Sequence, residues 1–104
     1  MSNTIEKVKR LEEYLSLSPA AADPVLDATL DKLLSRERAR LQAVKDRLTA
    51  QISDFETRYA LPSDVFYSRY NWGELGDTMD FIEWAATLEM LGGVEKSLSL
   101  LDIV

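Results

Sequence analysis

Residues 24–59 read PVLDATLDKLLSRERARLQAVKDRLTAQISDFETRY, and this stretch decides the fold class. After Pro24 it contains neither glycine nor proline, so nothing in it breaks a helix. Its apolar residues recur every three or four positions, at Leu30, Leu34, Leu41, Val44, Leu48, Ile52, Phe55 and Tyr59. A helix of this length would extend about 50 Å. Because so long a helix needs packing along its apolar seam, we predict one coiled-coil-like helix.

The sequence on both sides of this stretch predicts shorter helices. Asp23-Pro24 supplies a cap and a favoured first helical residue for the long helix. Asn3, three residues before Glu6, gives a weaker capping signal for a helix that Ser18-Pro19 interrupts. Ser63 is the expected cap of the helix after the long one, and Gly92-Gly93 is expected to weaken the last helix. The predicted helices are about 3–17, 24–59, 64–71 and 78–91, with a less regular helical tail at 94–102.

These elements predict an all-α fold, either a long helical hairpin or a three-to-four-helix arrangement, in a single domain covering residues 1–104. A chain of 104 residues has room for one domain, and a small domain buries a limited share of its surface. We therefore expect self-association, with a homodimer as the favoured state.

Composition argues against an enzyme. The chain contains no cysteine and no histidine, which removes the usual nucleophiles, general bases and metal ligands. No phosphate-binding glycine motif occurs, and we expect no cofactor. The N-terminus has charges throughout, and no apolar run is long enough to span a bilayer, so we expect a cytoplasmic protein without membrane contact.

An acidic cluster lies near the predicted start of the last helix, at Glu74, Asp77, Asp80 and Glu83. The last three are spaced by three residues and could share one helical face, which a hard cation such as Mg²⁺ could bind. Acidic residues at a helix start also cap backbone amides and suit the helix dipole, and we favour that interpretation.

A locally basic stretch offers nucleic acid binding as an alternative, through Arg36, Arg38, Arg40, Lys45 and Arg47. These side chains are distributed around the predicted helix, and no aromatic residue lies among them for base stacking. The formal net charge of −6 also repels phosphates. We therefore rank regulatory RNA or DNA binding below protein binding.

Six aromatic residues lie within nineteen positions of the C-terminal half. We expect Phe66, Phe81 and Trp84 to pack in the core, while Tyr67, Tyr70 and Trp72 are the expected surface members. Aromatic residues serve both as core residues and as interface anchors.

The segment FETRYALPSDVFYSRYNWGELGDTMDFIEWAATLEM, residues 55–90, resembles the antitoxin components of small bacterial toxin–antitoxin gene pairs. The resemblance lies in Phe66-Tyr67, the run 73–77 (GELGD), Asp80-Phe81 and Glu83-Trp84, and it covers about a third of the chain. It implies a small acidic protein that masks a protein toxin, commonly a ribonuclease. Gly92-Gly93 departs from the family pattern, because such proteins usually continue a charged helix at this position.

The resulting functional prediction is a protein-binding antitoxin whose partner is the product of an adjacent gene. An excess of acidic residues would complement a basic, RNA-cleaving surface. The alternative is a homo-oligomeric coiled-coil scaffold without a toxin partner. The predicted partner-binding residues are Tyr67, Tyr70, Trp72, Glu74, Asp77, Asp80 and Glu83.

Overall fold

The computed structural model describes residues 3–18 and 23–102, and these residues form four α-helices and no strand. The helices are α1 (Thr4–Leu17), α2 (Pro24–Tyr59), α3 (Ser63–Asn71) and α4 (Met79–Leu101). The all-α prediction is confirmed.

Side-chain caps begin three of these helices. The Asn3 Oδ1 atom accepts a hydrogen bond from the Glu6 amide at 2.9 Å, and Asp23 Oδ1 accepts one from the Leu26 amide at 2.7 Å. Thr78 caps α4, since its hydroxyl accepts from the amide three residues later. The expected cap of α3 by Ser63 is wrong, because Pro62 occupies the cap position and Ser63 is already the first helical residue.

The long helix α2 ends in a tight left-handed turn. Ala60 has a φ of 50°, and the Leu61 amide donates to the Glu56 carbonyl at 3.3 Å. This arrangement resembles a Schellman motif, which usually places glycine at the left-handed position. An alanine there costs about 1 kcal/mol of backbone strain.

The chain divides into two compact units, Met1–Ser35 and Arg36–Val104. The boundary falls within α2, which contributes its first part to one unit and the rest to the other. In the first unit no residue of α1 is buried. Leu11 and Leu15 of α1 and Leu30 and Leu34 of α2 are half-buried. The well-packed apolar core is found in the second unit.

An aromatic stack forms the core of the second unit. Phe66 and Trp84 are fully buried, with parallel rings whose centroids are 3.8 Å apart. Phe55 of α2 also stacks on Trp84, with ring centroids 5.6 Å apart. The Trp84 indole N–H donates to the Ser63 hydroxyl at 3.1 Å, so the buried polar atom of this ring has a partner. Three helices therefore meet at Trp84.

Helices α2 and α4 run antiparallel in this unit. Arg38 donates to the Leu101 carbonyl at 2.6 Å, and its Nε atom lies 2.9 Å from an Asp102 carboxylate oxygen. At the other end of the pair, Tyr59 contacts Phe81, with ring centroids 5.1 Å apart. Residue numbers thus rise along α2 as they fall along α4. A cation beside the last carbonyls also suits the dipole of α4.

Helix α4 continues through Gly92 and Gly93 to Leu101, although we expected these residues to weaken the helix and separate it from a tail at 94–102. Each glycine costs roughly 1 kcal/mol relative to alanine. Packing of buried Leu98 and half-buried Leu91 and Val94 on the inner side offsets that cost. None of the helices in the described ranges combines the length and apolar content that a membrane crossing requires.

Candidate partner-binding site

Residues 72–78 connect α3 to α4 and form a defined turn. The Glu74 amide donates to the Arg69 carbonyl and the Gly73 amide to the Tyr70 carbonyl, both at 3.0 Å. Gly73 and Gly76 have φ values of 75° and 76°, a region that side-chain-bearing residues rarely adopt. The two glycines of the sequence GELGD are therefore required by the backbone of this turn.

Trp72 is the most exposed aromatic residue of the second unit. Its side chain is 80% exposed although Leu75, in the same turn, packs against the aromatic core. The turn is thus attached to the core by the leucine, while the indole remains in solvent. Met79, the first residue of α4, is exposed to a similar degree. A large apolar side chain held this way on a fixed turn is typical of an interface anchor.

Tyr67 and Tyr70, which we placed at the surface, are half-buried against the aromatic core. The Tyr70 ring stacks on Phe66 with centroids 5.5 Å apart. The Tyr67 hydroxyl remains accessible enough to donate to Glu89 of α4 at 2.9 Å. Among the expected core members, Phe66 and Trp84 are buried and Phe81 is half-buried. Both tyrosines therefore contribute to packing, and Trp72 is the aromatic residue that is free of it.

Asp80 joins α4 to the end of α2. Its carboxylate accepts hydrogen bonds from the Tyr59 hydroxyl and, at 2.9 Å, from the Arg58 guanidinium. The hydrogen bond from Tyr59, followed by that from Arg58, lowers the pKa of Asp80. The bond to Asp80 raises the pKa of Tyr59, with burial as the second cause. Asp80 is therefore committed to a contact within the chain, which weakens its expected role towards a partner.

The other acidic candidates are not grouped on one helical face, the arrangement that a metal site on this helix would need. Asp77 lies in the connection, before Thr78 caps α4, so only Asp80 and Glu83 share the helix. Glu74, Asp77 and Glu83 are exposed. Within the described ranges, no three acidic side chains are placed to hold a metal ion together. Two of the exposed acidic residues thus lie in the turn that carries Trp72 and the third follows it in α4, and the described residues form no metal site there.

Two contacts between residues more than twenty positions apart have no signal in the sequence. The Arg58–Asp80 and Ser63–Trp84 contacts join different helices. An apolar groove of about 390 Å³ also lies between α3 and α4, lined by Ser63, Asp64, Tyr67, Leu88 and Glu89. Only the spacing of the apolar residues hinted that these helices would pack.

Two side chains of the basic stretch are engaged within the chain. Arg38 holds the end of α4, and Arg40 pairs with Glu37 at 3.0 Å. Arg36 and Arg47 are exposed, while Lys45 is half-buried. Pairing of this kind leaves less free charge for phosphate contacts.

Comparison of the chain with protein-family models, with characterised proteins and with solved structures gave no match.

Proposed function

We propose that this protein is an antitoxin, which binds and neutralises a protein toxin encoded by an adjacent gene. The observation that carries the proposal is Trp72, 80% exposed on a turn that Leu75 and two left-handed glycines hold in place. Exposing a tryptophan forgoes the favourable burial of its large apolar ring. Tryptophan is the residue type most enriched among energetically dominant interface residues.

The charge around this turn favours a basic partner. Glu74, Asp77 and Glu83 are exposed, and the chain carries a formal charge of −6. A toxin that cleaves RNA needs a basic surface for phosphates, and an acidic protein is electrostatically complementary to it. In this proposal Trp72 inserts into an apolar pocket of the toxin, while the acidic side chains cover its cationic groove. In this proposal the chain acts by binding and catalyses no reaction. A cytoplasmic location and a homodimeric state are also part of the proposal.

The direct test is co-expression with the product of the adjacent gene, followed by affinity purification and a growth assay of the neighbour alone. We expect a stable complex, and we expect toxicity that this protein relieves. A harmless neighbour that does not bind would refute the antitoxin proposal.

Two variants locate the contact. Trp72→Ala should weaken the complex by at least about 2 kcal/mol, or roughly thirtyfold. Tyr14→Ala is the matched control, because Tyr14 is an exposed aromatic residue of α1. The double variant Glu74→Lys and Glu83→Lys should slow association and make the association rate less dependent on salt concentration, whereas Glu13→Lys in α1 should have little effect. Equal effects at target and control positions would place the contact elsewhere.

The second candidate is a homo-oligomeric scaffold assembled through the first unit. The observation in its favour is the number of large apolar side chains exposed there, namely Ile5, Val8, Leu17, Val25 and Leu33. Because α1 buries no residue, a coiled coil between copies would cover this surface. Tight self-association without affinity for the neighbouring gene product would support this candidate over the first.

A further inference from the structure

The outer side of α4 carries an exposed apolar stripe. Its members follow one another at intervals of three or four residues, so they share one face of the helix. They are Met79, Ile82, Ala86, Met90, Gly93, Ser97 and Leu100, all exposed and none charged. The opposite side of the same helix carries the buried residues Trp84, Thr87 and Leu98. A helix that is apolar on both sides is normally covered on both sides.

Two glycines, Gly92 and Gly93, lie near the middle of this helix, and no contact among the described residues requires a glycine at either position. A Cβ atom added at Gly92 or at Gly93 would meet nothing within 4 Å among residues 3–18 and 23–102, and both glycines are helical. Glycine is therefore not needed here for close packing or for unusual backbone angles, although it is a poor helix former. The absence of side chains becomes useful where a second helix crosses and the two backbones approach closely.

The charges at the edge of the stripe indicate which helix crosses. Glu89 and Lys96 lie two turns apart along the same edge, and the midpoint between them falls between Gly92 and Gly93. A two-fold axis at that midpoint, with the helices antiparallel, places Glu89 of each copy opposite Lys96 of the other. The same register brings Leu100 of one copy next to the small Ala86 of the other. A parallel arrangement would instead place like charges side by side.

We propose that the outer stripe of α4 is a self-association surface, on which a second copy of this chain binds antiparallel with its crossing point at Gly92-Gly93. A two-fold interface must be complementary to itself, and the spacing of Glu89, the glycines and Lys96 meets that condition. The stripe spans about 32 Å of helix. A single helix pair buries less than the roughly 800 Å² per partner of a standard interface, so we expect a dimer of about micromolar affinity. The inference rests on the homodimeric state proposed above and names its surface, and it does not require a toxin partner.

Sedimentation velocity of the full chain over a concentration series tests the proposal. We expect a reversible monomer–dimer equilibrium for the wild-type chain. Gly93→Arg places two bulky cations at the crossing point, and it should weaken the dimer at least tenfold. Circular dichroism should show no loss of helix, because the described part of the chain leaves open space around Gly93. The matched control is Ala50→Arg, an exposed position of α2, which should leave the equilibrium unchanged.

A charge exchange tests the antiparallel register. Glu89→Lys alone and Lys96→Glu alone should each weaken the dimer severalfold, and the double variant should restore it. Tyr67→Phe removes the hydrogen bond that Glu89 accepts within the chain and serves as the control for that loss. A dimer that both single variants weaken and the double variant does not restore would overturn the antiparallel register.

Two further outcomes would overturn the proposal itself. One is a wild-type chain that stays monomeric at concentrations well above micromolar. The other is a dimer that Gly93→Arg leaves intact while Leu33→Asp disrupts it, because Leu33 is an exposed apolar residue of α2. That result would assign self-association to the first unit.

Discussion

The two tryptophans of this chain allow one substitution to be compared at a buried and at an exposed position. Trp84 is fully buried and donates its indole N–H to Ser63, whereas Trp72 is 80% exposed. Trp84→Phe removes roughly 40 Å² of buried ring surface, worth about 1 kcal/mol. Loss of the indole hydrogen bond removes about 1 kcal/mol more. We therefore expect Trp84→Phe to lower the free energy of unfolding by about 2 kcal/mol.

Trp72→Phe is the matched control, and it should change the free energy of unfolding by less than about 0.5 kcal/mol. Urea denaturation followed by far-UV circular dichroism measures both values, and fluorescence gives an independent reading. The Trp72→Phe chain retains only the buried indole, so its emission should be blue-shifted when folded and move to the red on unfolding. The Trp84→Phe chain retains only the exposed indole, whose emission should change little in wavelength.

Equal destabilisation by the two substitutions would refute the assignment of Trp84 as the centre of the core. The assignment would also fail if the Trp72→Phe chain emitted at the wavelength of a solvated indole. Measurement below the dimer concentration range separates these effects from any self-association.

Three further predictions follow from individual contacts. Ala60→Gly should stabilise the chain by about 0.5–1 kcal/mol in thermal or urea unfolding, because it relieves the positive φ at the end of α2, and a loss of stability would show that the left-handed turn is absent. Ser63→Ala should destabilise the chain by about 1–2 kcal/mol, since it leaves the Trp84 indole N–H without its partner, while Ser68→Ala at an exposed position of α3 should be nearly neutral. Asp80→Asn should make the free energy of unfolding less dependent on pH in acid. The pKa of Asp80 is lowered in the folded state, so its ionised carboxylate stabilises the fold at neutral pH. That stabilisation is lost as the pH falls below about 4 and through the folded-state pKa. Wild-type and variant curves that run parallel below pH 4 would contradict the contacts of Asp80 with Tyr59 and Arg58.

The sequence by itself determined α1, α2 and α3, because the signals that define these helices are local. Apolar spacing and the absence of helix breakers over residues 24–59 predicted α2, whose bounds in the structure are Pro24–Tyr59. Asn3 and Asp23 also cap the helices that their positions indicated. Each of these features depends on residues within about four positions of one another, where helix geometry fixes the distances.

Tertiary structure alone decided which candidate residues are available to a partner. Asp80 and Glu83 are both acidic residues near the start of α4, but only Asp80 meets Arg58 and Tyr59, more than twenty residues away. Tyr70 and Trp72 are two positions apart, and packing on Phe66 covers the first while the turn leaves the second in solvent. Gly92-Gly93 carried a local signal to end the helix, and burial of Leu98 on the inner side of α4 outweighed it. Helix formation follows from neighbours along the chain where the local signals agree. Exposure, and the continuation of α4 through its two glycines, depend on which distant side chains fill the same space.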